Sequence, residues 1–186
     1  MTGGTAARYE HGHIDDRHAE KAIAWLEKQA ADKTKPFFLY FATCSIHTPM
    51  TANPKFKGQS QVGPRGDFLL EHDWVVGQVL DALDRLGVAD DTLVIYSSDN
   101  GGHDSGSFKG KGTFEEFGPK PNGGWRGMKS DIWEAGHRVP FLVRWPGKTP
   151  PGTTLDQLFC HADLILTLHA LTAVPQLGRR DNHVIL

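Results

Sequence analysis

Apolar residues fall along the chain in two alternating patterns, helical spacing and short unbroken runs. Ala19, Ala22, Ile23, Leu26 and Ala30 repeat at three- and four-residue intervals and predict a helix over about 17–31. Asp15 or Asp16 stands where an N-cap belongs. The run PFFLYFAT, residues 36–43, has strand length and no polar alternation, as a strand covered on both faces would. Pro49 ends it, and residues 50–66 read as loop, with Pro54, Gly58, Gly63, Pro64 and Gly66 as breakers. A longer helix is predicted over about 67–86, its stripe formed by Leu69, Trp74, Val76, Val79, Leu80, Leu83 and Leu86, with Gly87 as its stop. Thr92–Tyr96 and Val139–Trp145 read as two further strands, and residues 163–173 as a last helix.

Strand, long helix, strand is the signature of an α/β fold. The expected architecture is a layered sheet, largely parallel or mixed, with flanking helices. Residues 1–13 are Gly-rich and polar and read as a flexible start, 14–175 as the folded domain, and 176–186 as a polar tail. The Gly-rich stretch 101–128 is a long loop between strands, of the kind that usually carries function.

Composition narrows the function more than it narrows the fold. The 186 residues carry 20 basic and 22 acidic side chains, a net charge of −2, so no overall basic field draws the chain to nucleic acid. No window is apolar enough for a transmembrane helix, and the N-terminal residues lack a signal-peptide pattern. The two cysteines, Cys44 and Cys160, have no zinc-finger or CxxC spacing and read as small buried apolar residues, with a disulfide between them as the alternative that nothing in the sequence supports.

The candidate chemistry sits where the runs end. In open α/β sheets, ligands bind beyond the carboxyl ends of strands. His47 follows the first run, and Asp99-Asn100 follows the second. Carboxylate and amide oxygens suit Ca²⁺ or Mg²⁺. Neighbours on a regular strand point to opposite faces, so both residues meet one ion only if the chain bends there, and Gly101-Gly102 makes the bend cheap. Ser-Asp-Asn-Gly is equally a common turn sequence. Lys129, in GWRGMKSDIWEAGHRVP, could clamp an anionic oxygen or be an ordinary surface lysine.

Taken in order, PFFLYFATCSIHTPM, HDWVVGQVLDALDRLGV, DDTLVIYSSDNGG and GMKSDIWEAGHRVPFLVRWPG resemble the sulfatases of the alkaline phosphatase superfamily over about residues 14–175. HADLILTLHALTAVP, residues 161–175, is similar to the family's helix after the strand, with Leu166 where proline is frequent. The resemblance implies a partial alkaline-phosphatase-like fold and metal-assisted hydrolysis of sulfate esters. It implies a divalent ion, Ca²⁺ ahead of Mg²⁺, on Asp99 and Asn100. It implies that His47 and Lys129 contact the sulfate as substrate-binding and catalytic residues. Glu134, Gly136, Arg138 and Pro140 match the rest of the lysine segment and are read as shaping it. Trp125 and Phe117, in the long loop, could stack on a sugar or aryl ring or simply pin the loop.

The chain departs from the family at the nucleophile. Formylglycine arises in a C/S-x-P-x-R motif, and no such motif occurs in these residues. The family's early aspartate pair has only Asp15-Asp16 as a stand-in here, read instead as a helix cap. The expected function is therefore a sulfuric ester hydrolase whose 186 residues lack the nucleophile and turn over no ester alone. The alternatives are a phosphate or phosphonate ester hydrolase of the same superfamily, or a catalytically dead glycan-binding module. The implied partner is a small-molecule or glycan sulfate ester, and family habit implies a periplasmic or secreted protein.

Overall fold

The structure, a computed structural model, describes residues 10–103 and 121–172. The chain divides into two units, Met1–Pro150 and Pro151–Leu186. In the first, a 3₁₀ turn at His11–His13 leads into α1 (Ile14–Ala30). A second 3₁₀ turn (Pro54–Phe56), α2 (Gly63–Arg85) and a third 3₁₀ turn (Ala89–Asp91) precede β1 (Val94–Ser97). The short α3 (Glu134–His137) then delivers the chain to β2 (Phe141–Arg144). The second unit holds α4 (Asp163–Thr172), whose Ile165, Leu166 and Leu171 are exposed. No helix among the described residues is long and apolar enough to cross a membrane.

Both long helices begin earlier than their apolar stripes suggest. Gly63 and Pro64 belong to α2, because proline is tolerated in a first turn whose N–H has no intrahelical partner. Asp15 and Asp16 lie inside the first turn of α1, after His13, so neither is its N-cap. Both carboxylates face other segments.

The sheet also differs from expectation. β1 and β2 pair antiparallel, with Val94 opposite Arg144 and Ser97 opposite Phe141. The chain leaves β1 and enters β2 at the same end, where the Gly101 N–H donates to the Gly136 carbonyl at 2.9 Å. That junction sets the strands running in opposite directions. Residues 36–43, expected as a central strand, lie outside the assigned sheet. Their burial nevertheless alternates, as in an extended chain with one face inward. Phe37 and Leu39 pack on the core, while Phe38 (75% exposed) and Tyr40 (83%) face outward. The outer face is therefore open among the described residues, where cover on both faces was expected.

Two apolar clusters hold the first unit. Leu26, Leu83 and Ala89 join α1 to α2, flanked by Trp25, Phe37, Val79 and Val94. Full burial of a leucine such as Leu26 is worth about 2 kcal/mol. Ala52, Phe56 and Phe68 form the second cluster with Ile46, Met50 and Trp74, fixing the connecting loop to the start of α2.

Candidate functional site

The loop between residues 43 and 60 is held by side-chain carboxylates from the N-terminal halves of the two long helices. Asp15, almost fully buried, accepts the N–H of Cys44 at 2.8 Å and of Ser45 at 2.7 Å. Glu71 accepts the N–H of Asn53 at 2.7 Å. Asp67 accepts those of Gly58 (2.7 Å) and Ser60 (2.8 Å). Asp16 takes the Asn53 side-chain amide and pairs with Lys55. A loop has backbone donors with no ladder to satisfy them, and an ionised carboxylate forms the stronger kind of hydrogen bond with them. None of these roles was read from the sequence. The signal was present as periodicity: Asp15 shares a helix face with Ala19, Ala22 and Leu26, and Asp67 and Glu71 share one with Val75 and Ala82. A carboxylate on a buried stripe must find donors.

This stapled loop carries His47. The side chain is exposed, and its Nδ1 lies 2.8 Å from the Thr48 carbonyl. Facing a carbonyl, Nδ1 is the donor in that contact, and Nε2 takes no part in it. His72 of α2 joins the loop to β1. Its Nδ1 meets Ser45 Oγ at 3.0 Å and Thr43 Oγ1 at 3.4 Å, and its Nε2 meets the Tyr96 hydroxyl at 3.0 Å. Burial holds the His72 imidazole below its ordinary range and pushes the Tyr96 phenol up.

Past β1, residues 99–100 form a bend. Ser98 Oγ donates to the Asn100 carbonyl at 3.1 Å, and Asn100 Nδ2 donates to the Gly101 carbonyl at 2.9 Å. The amide nitrogen is thereby engaged, and Oδ1 is the atom Asn100 offers as a ligand. Asp99 is exposed. Gly101 and Gly102 are required here for a reason other than the one expected. Neither has positive φ. A Cβ on Gly101 would stand 1.7 Å from the Ala135 carbonyl oxygen, and one on Gly102 would stand 2.8 Å from Asn122 Oδ1. Closeness to a neighbouring segment, not backbone freedom, excludes a side chain.

That neighbouring segment is the one that bears Lys129. The Lys129 N–H donates to the Gly102 carbonyl at 3.1 Å. Asp131 N–H donates back to the Met128 carbonyl at 2.9 Å, and Asp131 Oδ2 accepts the Met128 N–H at 3.1 Å. Ser130 has φ of +76°, whereas Lys129 does not have positive φ, so the turn is of type II with Lys129 at its second position. Lys129 is half-buried.

Asn122 was not singled out in the sequence, yet it completes this junction. Its Oδ1 accepts the Gly102 N–H and its Nδ2 donates to the Gly102 carbonyl, both at 2.9 Å, with a longer contact to the Gly127 carbonyl at 3.3 Å. Trp125 lies against the Arg138 guanidinium, 4.1 Å from its ring centroid, and Arg138 pairs with Glu134 across α3. The contact observed for Trp125 is thus one that pins the segment. Phe117 lies outside the described residues. Cys160 is exposed rather than buried, Cys44 is half-buried, and neither forms a disulfide.

The backbone thus brings the Asp99–Asn100 bend and the Lys129 turn together. His47 reaches the same region only indirectly, through Ser45, His72 and Tyr96. Among the described residues, no hydrogen bond or ion pair joins the His47 side chain to Asp99, Asn100 or Lys129.

The family model described as Sulfatase matches residues 3–174. An N-acetylgalactosamine-6-O-sulfatase of Bacteroides thetaiotaomicron is 37% identical over 175 residues, covering 94% of this chain and 34% of the relative. The steryl-sulfatase of Rattus norvegicus is 42% identical over 164 residues, covering 85% of this chain and 26% of the relative. A structure solved in work on the metabolism of multiple glycosaminoglycans by Bacteroides thetaiotaomicron superposes with a TM-score of 0.84 at 36% identity, covering 98% of this chain and 38% of that one. The chain spans about a third of the length of such relatives. These matches bear out the alkaline-phosphatase-like α/β fold expected from the motifs: the chain belongs to the sulfatase family.

Proposed function

We propose that these residues form the metal- and sulfate-binding part of a sulfuric ester hydrolase. Asp99 and Asn100 would hold a divalent ion, Ca²⁺ ahead of Mg²⁺, and Lys129 and His47 would hold the sulfate ester. The observation that carries this reading is the lacing of Gly101 to Gly136 and of Gly102 to Lys129. It sets two segments that are remote in sequence side by side, with an oxygen-ligand pair on one and an ammonium on the other.

The donor set fits a hard cation. A carboxylate and an amide oxygen are oxygen-only ligands, as Ca²⁺ and Mg²⁺ require. When bound, the ion supplies a Lewis acid to sulfate oxygens. Lys129 supplies a point charge to a non-bridging oxygen, and the type II turn presents it from a fixed backbone. His47, with Nδ1 committed to Thr48, gives or takes a proton at Nε2. Such groups stabilise the negative charge that grows on oxygen as the ester bond breaks. The two relatives named above act, by their names, on a 6-O-sulfated amino sugar and on steryl sulfate. The substrate class proposed here is what these share, a sulfate ester of an alcohol.

Calcium prefers six to eight oxygens, and two side chains are a partial set. Titration calorimetry of the 186-residue chain is expected to show weak Ca²⁺ binding, roughly 10⁻⁴–10⁻³ M, abolished in Asp99→Ala. Equal binding by both proteins would overturn the metal assignment. With no C/S-x-P-x-R motif among these residues, no hydrolysis of an aryl sulfate is expected from the chain alone. Turnover lost in Lys129→Ala would overturn that part.

A further inference from the structure

A second cluster of ligating atoms lies at the start of α1, apart from the oxygen pair at Asp99–Asn100. Asp15, His18 and Cys44 each direct one donor atom toward the others, and the three atoms all lie within 4.8 Å of one another. His18 Nδ1 stands 3.8 Å from Asp15 Oδ1, one helical turn away. That nitrogen is buried and has no hydrogen-bond partner among the described residues, although the rest of the ring reaches solvent. A buried ring nitrogen without a partner beside a buried carboxylate and a thiol calls for an explanation.

We propose that Asp15, His18 and Cys44 form a three-ligand site for a borderline-soft divalent cation, Zn²⁺ in particular. Tetrahedral zinc with bonds of ~2.0–2.3 Å places its ligand atoms ~3.3–3.8 Å apart. The observed spacing reaches that range with small side-chain rotations. One nitrogen, one sulfur and one oxygen select zinc over Ca²⁺ or Mg²⁺, which take oxygen alone. Each Asp15 oxygen already accepts one backbone N–H, from Cys44 or Ser45, and each retains a second acceptor direction for a metal. Those two hydrogen bonds fix the carboxylate, as partners of a metal ligand do in built metal sites. The fourth position would fall to water. An open groove lined by His18, Lys21, Ala22, Trp25 and Tyr40 gives solvent a route along the imidazole. The bound ion would lock the first turn of α1 to the chain two and three residues ahead of Ile46 and His47. The site is independent of the sulfate-ester reading, because none of its ligands belongs to that pocket.

Cobalt(II) titration of the 186-residue chain tests it. The expected result is a saturable thiolate-to-cobalt charge-transfer band at one equivalent, together with the intense visible bands of tetrahedral Co²⁺, both removed by added Zn²⁺. Cys44→Ser and His18→Ala are expected to abolish the band, while Cys160→Ser and Asp99→Ala leave it intact. His18→Ala alters a residue in contact with solvent, so it remains informative should Cys44→Ser fail to fold. Absence of the band in the wild type, its survival in His18→Ala, its loss in Cys160→Ser, or its displacement by Ca²⁺ would each overturn the proposal.

Discussion

Gly101 donates its N–H to the carbonyl of Gly136, and the approach is so close that a methyl group on Gly101 would overlap the Ala135 carbonyl oxygen at 1.7 Å. Neither partner of this overlap is a flexible side chain tip, so relief requires backbone movement. Gly101→Ala is expected to cost about 3 kcal/mol, at the upper end of what overpacking usually costs. Because the junction also fixes the bend at Asp99–Asn100, the variant should lose Ca²⁺ binding with its stability. Urea unfolding and calorimetry on the same preparation check both, and an unchanged midpoint would refute the close-approach reading.

The turn that bears Lys129 stores a small strain at Ser130, whose φ of +76° lies in the region that favours glycine. A β-branched residue cannot adopt it cheaply. Ser130→Val is expected to destabilise the chain by about 1–3 kcal/mol, whereas Ser130→Gly should be tolerated or slightly stabilising. Thermal unfolding of the pair decides the matter: equal losses in both variants would mean that the turn is not what constrains this position.

His72 predicts a pH dependence. Burial lowers its pKa from the ordinary 6.5, with the charges of Asp15 and Asp73 acting the other way. The neutral ring is therefore favoured by folding. This contribution is complete above the unfolded-state value and is lost as pH falls below 6.5 toward the folded-state value. Wild-type stability should decline between about pH 7 and pH 5 more steeply than that of His72→Gln, which has no group to titrate there. Parallel slopes in urea midpoints across that range would rule the contribution out.

Glu71 predicts the opposite sign. Burial raises its pKa above 4.5, reinforced by Asp16 and Asp15, while the Asn53 N–H and Lys55 pull it down. The folded state thus favours the protonated acid. Its ionised form is penalised above the folded-state value, and the penalty disappears below 4.5. Glu71→Gln keeps an oxygen able to accept the Asn53 N–H and removes the charge. It should stabilise the chain near neutrality and confer no gain in acid. A loss of stability at neutral pH would show that the charged hydrogen bond outweighs the desolvation.

The elements easiest to read from the sequence were those with long apolar stripes. Leu26, Leu83 and their neighbours announce α1 and α2 because helix-to-helix burial leaves a regular trace. Residues 36–43 mislead as a strand, since an extended apolar run shows its conformation but not whether a neighbour pairs with it. At the candidate site, the motifs around Asp99, Asn100, Lys129 and His47 single these residues out as candidates. Asn122 and the staples Asp15, Asp67 and Glu71 were not legible in this way. Their role is to satisfy backbone groups far away in the chain, and that geometry exists only once the loop has folded. Gly101 was expected to make the bend cheap, whereas its φ is not positive and the Ala135 carbonyl fills the space of a side chain, because a sequence records the missing side chain and not what occupies its place.

The clamp at Gly102 has a chemical consequence. Asn122 precedes Gly123, a dipeptide prone to cyclise through the asparagine side chain with loss of ammonia. Deamidation would replace the nitrogen facing the Gly102 and Gly127 carbonyls with an anionic oxygen, converting attraction into repulsion at both. The Asn122 contacts to the strand end would weaken as the molecule ages, leaving the backbone bonds of Gly101 and Lys129 to hold the junction, and storage life, rather than heat or urea, would expose how much that one amide adds.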